Sequence, residues 1–170
     1  MTAKATVSED ATTSSMLVPV GKTVGIKLFA DGVMVVALSE LSETSVSPAS
    51  QAGLRDGDII TTVDSVEITS AEQFIKSVAD CNGNGLDVTY TRDGEEYSTV
   101  IKPVMAKNGE YKIGAWIRDS MAGIGTVTFY DPATGVFGAL GHGINDVDTG
   151  ILMPLQKGSI MRSSVAAVNK

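Results

Sequence analysis

Apolar and polar positions alternate over short stretches along most of the chain, a pattern that predicts strands with one clear helix. Two β-rich runs, Ile26-Lys-Leu-Phe29 and Gly32-Val-Met-Val-Val-Ala-Leu38, flank Ala30-Asp-Gly32, and the Asp-Gly step predicts a hairpin between them. A short helical turn is expected near residues 48–53. Strands are expected at Asp58–Val63 and Leu86–Thr91, and Arg92-Asp-Gly94 turns the chain into a strand at Tyr97–Lys102. Between them Thr69-Ser-Ala-Glu72 opens a helix, with Ser70 as N-cap and Glu72 in the first turn. Phe74, Ile75 and Val78 follow at helical spacing, and Asn82-Gly-Asn-Gly85 ends the helix. Beyond residue 110 the pattern is all strand: Tyr111–Ile117, Ile124–Tyr130 and Val136–Leu140, separated by Ser120-Met-Ala-Gly123 and by the turn Asp131-Pro-Ala-Thr-Gly135.

These patterns divide the chain into a Thr/Ser/Ala-rich tail at 1–16 that reads as flexible, a first unit at 17–104, a polar linker at 105–110 and a second unit at 111–170. The fold class is mainly β. With 170 residues of which 43% are hydrophobic, the chain can bury a core, which excludes a disordered linker. Aromatic residues make up 5% and there are 18 glycines, so packing falls to aliphatic side chains between many turns.

Charge and rare residues narrow the chemistry. The net charge of −7, all of it arising before residue 110, argues against a nucleic-acid or anionic-lipid partner. Cys81 and His142 are each the sole residue of their kind, which excludes an intramolecular disulfide, a Cys-rich zinc site and a multi-histidine metal centre; no metal or cofactor is expected. No run reaches the roughly 20 apolar residues of a membrane helix, and the opening residues lack the order of a signal peptide. An anchor present in a longer natural protein is compatible with this.

Taken residue by residue, most candidates have a structural reading. Asp56 and Asp58 shape a turn. Phe74, Ile75 and Val78 suit a core. Gly21–Ile26 precedes a strand and lacks a Gly-Lys-Ser/Thr ending, which rejects a nucleotide loop. Arg118 and Asp119 read as an internal ion pair, and Asp146 and Asp148 as stabilisers of a turn. His142 is flanked by Gly141 and Gly143, small neighbours that leave an imidazole accessible, so it is either a general base or a turn histidine without a role.

Two sets of residues carry a resemblance. Pro48-Ala-Ser-Gln-Ala-Gly-Leu-Arg-Asp-Gly-Asp-Ile-Ile60 resembles the signature of PDZ domains over roughly residues 20–104. That resemblance implies peptide recognition by strand addition. It makes Thr23-Val-Gly-Ile26 the loop that receives a peptide carboxylate, Ile26–Phe29 the pairing strand, and Phe74, Ile75 and Val78 the groove or the core beneath it.

The strings Gly114-Ala-Trp-Ile-Arg-Asp119, Gly123-Ile-Gly-Thr-Val-Thr-Phe-Tyr-Asp-Pro132, Phe137-Gly-Ala-Leu-Gly-His-Gly-Ile144 and Asp146-Val-Asp-Thr149 resemble the SpoIVB peptidase family. The implied architecture is a PDZ domain, a β-sandwich or partial barrel with one long and one short helix, followed by the start of a chymotrypsin-like β-barrel. The implied activity is a serine endopeptidase of sporulation signalling in which His142 is the triad histidine. Its substrate would be a regulatory protein of the intramembrane protease complex that processes pro-sigma-K. The resemblance places the protein outside the cytoplasm, in the forespore intermembrane space, tethered or secreted.

The family's Asp and Ser lie far beyond the histidine, whereas this chain stops at Lys170 and Lys157-Gly-Ser-Ile-Met-Arg162 is not a nucleophile loop. The polypeptide is therefore expected to lack a complete triad and to be inactive alone. A non-catalytic PDZ adaptor binding peptide or protein termini is the alternative. Unpaired edges of a partial β-unit would also allow a homo-oligomer.

Overall fold

The computed structural model describes residues 16–41, 46–139, 143–152 and 156–164. Its elements in chain order are β1 (Val18–Leu38), α1 (Pro48–Gln51), β2 (Ile59–Val63), β3 (Val66–Glu67), α2 (Ala71–Asp80), β4 (Leu86–Arg92), β5 (Glu95–Ile101), β6 (Val104–Met105), β7 (Tyr111–Lys112), β8 (Ala115–Tyr130), β9 (Phe137–Gly138) and β10 (Lys157–Arg162). The main sheet runs β5-β4-β2-β1-β8-β9, with β10 added to β1 and β3 to β2. This is a mainly β architecture: a PDZ-like unit whose open sheet is extended by the strands that follow it.

Local chemistry explains the elements of the first unit. Ser47 caps α1 and accepts the Ser50 N–H at 3.1 Å, with Pro48 at the first helical position, where a missing N–H costs nothing. Ser70 caps α2 by accepting the Gln73 N–H at 3.2 Å. Asp93 and Gly94 both hold positive φ and close the β4–β5 hairpin, in which Arg92 faces Glu95. At the Gly-Leu-Arg-Asp-Gly-Asp corner, the buried Asp58 carboxylate accepts the Arg55 N–H at 2.8 Å and two bonds from the Arg92 guanidinium at 2.7 Å. That bond and the neighbouring negative charge push the Arg92 pKa above its ordinary value against the opposing effect of burial. Asp58 is thus a turn residue with a charged partner.

The core lies between the sheet and the two helices and gathers Val33, Val35, Leu54, Ile60, Val63, Ile68, Phe74, Val78, Leu86, Val88 and Ile101. Fully burying one such side chain stabilises by about 1.5–3 kcal/mol. On the opposite face of the sheet a smaller cluster joins Ala30, Met34, Val36 and Ile59, with Met121 of β8 against it.

Two expectations are corrected by the long β1–β8 ribbon. Residues 30–32 do not turn: β1 runs through them, and the β1–β8 register shifts between Phe29 and Met34. Gly32 absorbs the irregularity at φ +121°, where a Cβ would stand 2.3 Å from the Ile60 carbonyl oxygen. Ser120–Gly123 does not break β8 either, because it pairs with Ile26–Phe29. Residues 105–110, expected as a linker, close the small β6–β7 hairpin, with Gly109 N–H bonded to the Ala106 carbonyl at 2.9 Å.

Candidate functional site

The turn that starts β8 builds one side of a groove. Gly114 sits at φ +70°, and a Cβ there would lie 2.5 Å from the Ser39 carbonyl oxygen and 2.9 Å from the Ser47 hydroxyl. The close approach permits a dense set of bonds. The Ser39 N–H donates to the Gly114 carbonyl at 2.9 Å, the Ala49 N–H to the Ile113 carbonyl at 2.9 Å, and the Ser47 hydroxyl to the Gly114 carbonyl at 2.8 Å. From this anchor Ala115–Arg118 pairs antiparallel with Met34–Leu38, with Val35 opposite Ile117 and Ala37 opposite Trp116.

The second side is α2. Its first N–H, on Ala71, donates to the Asp119 carboxylate at 2.9 Å, so helix and strand are tied at one end. Between them lies a cavity of about 660 Å³ lined by Leu41, Ile75, Val78, Ala79, Tyr111, Ile113, Trp116 and Ile117. Ile75 is 58% exposed and Trp116 66% exposed. Among the described residues, the edge of β8 away from β1 carries no strand partner over 115–118. An apolar trough beside an open strand edge is the geometry into which an extended peptide adds, backbone to strand and alternate side chains to the trough.

This arrangement redistributes the residues singled out from sequence. Thr23, Val24, Gly25 and Ile26 form no loop: they lie within β1, flanked by Gly123–Thr126 of β8 on one side, and on the other Val24–Ile26 meet Ile160–Arg162 of β10. With both edges engaged, Ile26–Phe29 has no edge for a peptide strand. Phe74 is 2% exposed within the core and does not line the groove. Val78 belongs to the core and also floors the groove, whereas Ile75 opens fully onto it. The residues that sequence reasoning missed are Ala115, Trp116 and Ile117. Their one sequence signal is Ile113-Gly-Ala-Trp-Ile, a glycine before an apolar strand, the same kind of cue that drew attention to Val24-Gly-Ile26.

His142 lies outside the described residues. The segment after it is a tight turn in which the Gly150 N–H donates to the Asp146 carbonyl and the Asp146 N–H to the Ile151 carbonyl, each at 2.8 Å. The buried Asp146 carboxylate accepts the N–H groups of Asp148 at 3.0 Å and Thr149 at 2.9 Å, and is ion-paired with Arg118. Arg118 also reaches Asp148 at 2.7 Å. Arg118 therefore pairs across the sheet with the 146–150 turn, and not with Asp119, which caps α2. Among the described residues no cluster of three or more metal-ligating side chains occurs.

Burial pushes the Asp146 carboxyl upward, but the Thr149 and Asp148 N–H groups, the Thr149 hydroxyl and Arg118 outweigh it and hold it below the ordinary carboxylate range. A depressed folded-state pKa stabilises the fold at neutral pH, and that contribution is lost as pH falls from about 4 through the lower folded value. The Asp146→Asn variant is expected to melt below the wild type at pH 7. Thermal scans from pH 7 to 3 should show the gap closing in the acid range; a gap constant with pH would refute the charge-based account.

Comparison with known proteins bears on both halves. Residues 19–102 match the PDZ domain family, and residues 109–170 match the family described as SpoIVB peptidase S55. The first part of the chain is thus similar to PDZ domains and the second to SpoIVB-type peptidases. A 53-residue stretch is 42% identical to the zinc metalloprotease RasP of Shouchella clausii, covering 31% of this chain and 13% of that protein. Among solved structures, the PDZ domain of the SdrC-like protein from Listeria monocytogenes matches with 27% identity and a TM-score of 0.43, covering 51% of this chain and 87% of the other. Its counterpart from Listeria innocua matches with 26% identity and a TM-score of 0.43, over 51% and 93%. The PDZ match supports peptide binding in general, and the S55 match supports a peptidase family at the coarse level. His142, Arg118 and Asp146 all fall within the stretch that matches S55, and so does β8, which forms one wall of the groove beside α2.

Proposed function

We propose that this chain is the peptide-recognition domain and the opening catalytic segment of a SpoIVB-like serine endopeptidase of sporulation signalling. The substrate in this reading is a protein that regulates the protease processing pro-sigma-K, met outside the cytoplasm in the forespore intermembrane space. The observation that carries it is the pairing, in one chain, of a PDZ domain with S55 sequence that contains the Gly-Ala-Leu-Gly-His142 string. His142 would take the proton of a serine hydroxyl and return it to the leaving amine, with nucleophile and orienting carboxylate supplied by further S55 sequence. Peptide termini or extended segments of the substrate would dock along Ala115–Ile117 against Ile75 and Val78.

In the full-length protein, His142→Ala is expected to lower turnover of a protein substrate by about 10²–10⁴-fold while leaving peptide binding intact. An unchanged rate would remove His142 from the chemistry. Absence of hydrolysis by the wild type, with binding preserved, would instead favour a PDZ adaptor. For the groove, Ile75→Glu is expected to weaken binding of labelled decapeptides from a random library at least tenfold, with a melting temperature close to wild type because Ile75 is already exposed. Equal binding by the variant would exclude this groove.

A further inference from the structure

We infer that Arg118 is a positioning residue for His142: it fastens to β8 the turn that follows the histidine, and so limits where the backbone carrying the imidazole can stand. For its catalytic meaning this rests on the endopeptidase reading.

The covalent chain supplies the link. His142 stands between Gly141 and Gly143, which have no side chains with which to seat it, so its placement must come from further along. Gly143 is bonded directly to His142, and consecutive Cα atoms are about 3.8 Å apart, so whatever fixes residues 143–152 confines the histidine backbone. Those residues close on themselves. Asn145 bridges to Leu152, the Asp146 N–H donates to the Ile151 carbonyl at 2.8 Å, and a Cβ on Gly143 would stand 2.8 Å from the Leu152 side chain. Contacts with the rest of the molecule then give the closed turn its place. Ile144 lies over Gly123 of β8, Ile151 occupies the space of a Cβ at Gly57 in the corner before β2, and Arg118 forks between Asp146 and Asp148.

Of these contacts the fork carries direction. Apolar burial is non-directional, whereas bonds from one planar guanidinium to two carboxylates fix distance and angle together. Both ends of the fork are held. Arg118 follows Ile117, which lies opposite the fully buried Val35, and precedes Asp119, whose carboxylate accepts the Ala71 N–H of α2 at 2.9 Å. On the other side, Asp146 is 1% exposed and its carboxylate accepts the Asp148 and Thr149 N–H groups and the Thr149 hydroxyl, the last at 3.2 Å. The second arm reaches the half-exposed Asp148, where an ion pair adds little stability. What that arm adds is orientation. A general base must come within about 2.6–3.2 Å of the proton it takes, and a misplacement of about 1 Å costs on the order of 10²-fold in rate.

Two measurements test the inference. His142 is the sole histidine, so ¹³C-histidine labelling of this chain gives one imidazole signal. Arg118→Lys keeps the charge and loses the fork, while Arg118→Ala loses both. At fixed pH and well below the melting temperature, each variant is expected to move the imidazole signal and to leave the ring signals of Phe74 and Tyr90 in place. An unmoved imidazole signal in both would overturn the inference whatever the activity. In the full-length protein, Arg118→Lys is expected to lower kcat about tenfold and Arg118→Ala up to about 100-fold, with KM within about twofold of wild type. Added to His142→Ala, either substitution is expected to cost nothing further, because it acts through the missing ring. An unchanged kcat, or an equal further loss in the His142→Ala background, would overturn the positioning role. Absence of hydrolysis by the wild type would remove the endopeptidase reading and leave the imidazole signal to decide whether Arg118 places His142.

Discussion

Phe74→Ala is expected to cost about 3–5 kcal/mol of folding stability, with a fall in melting temperature to match. The ring lies 2% exposed among Val33, Ile60, Val88 and Ile101 in the main core, where removing it leaves a cavity that β-sheet and helix cannot close without moving. Its neighbour Ile75 gives the contrast. Being on the open side of α2, Ile75→Ala is expected to change stability by less than about 0.5 kcal/mol. Denaturant titrations of the two variants side by side decide the matter: equal losses would mean that α2 is not seated as described.

The second large effect is expected from Gly114→Ala. At φ +70° any side chain is strained, and here the new Cβ would meet the Ser39 carbonyl oxygen at 2.5 Å, an atom fixed in the backbone. Strain and overpacking together are expected to cost on the order of 3 kcal/mol. The damage is directional, since the bonds from Ser39, Ser47 and Ala49 that hold the start of β8 would be the ones to break. Hydrogen exchange should therefore show lost protection first at Ala115–Arg118, and peptide binding should fall along with it. A variant as stable as wild type, with β8 protected, would contradict the anchoring role of this turn.

Much of the PDZ-like unit is legible in the sequence because its signals are local. Ser70 three residues before Gln73 caps α2, Asp93-Gly94 closes β4 onto β5, and the glycines around Asp58 set the corner into β2. The candidate groove was legible only in half. Helical spacing marks Phe74, Ile75 and Val78 as one apolar stripe, but the direction of the core, which only the sheet defines, decides that Phe74 points in and Ile75 out. The other wall is expected at Ile26–Phe29 from the PDZ resemblance, and Asp31-Gly32 is a hairpin signal that agrees with it. It was overridden by pairing with residues that lie far along the chain, and by Gln156 holding Asp31. Arg118 was misassigned for the same reason: Asp119 is adjacent in sequence, while its actual partners Asp146 and Asp148 become neighbours only when the 146–150 turn packs onto β8.

The long ribbon between β1 and β8 also dictates an order of events. Strand β1 is made before its partners β8 and β10, which extend to Arg162, and the sheet edge beside α2 stays incomplete until Ala115–Arg118 has been made. Contacts of such long sequence separation form late, and domains begin to fold from the N-terminal side during synthesis. A nascent chain ending before Ala115 leaves that edge of Met34–Leu38 without the strand that covers it in the finished sheet. Until then the strand edge at Met34–Leu38 is an open template for pairing with other chains, which makes closure by β8 a protective step as well as a stabilising one.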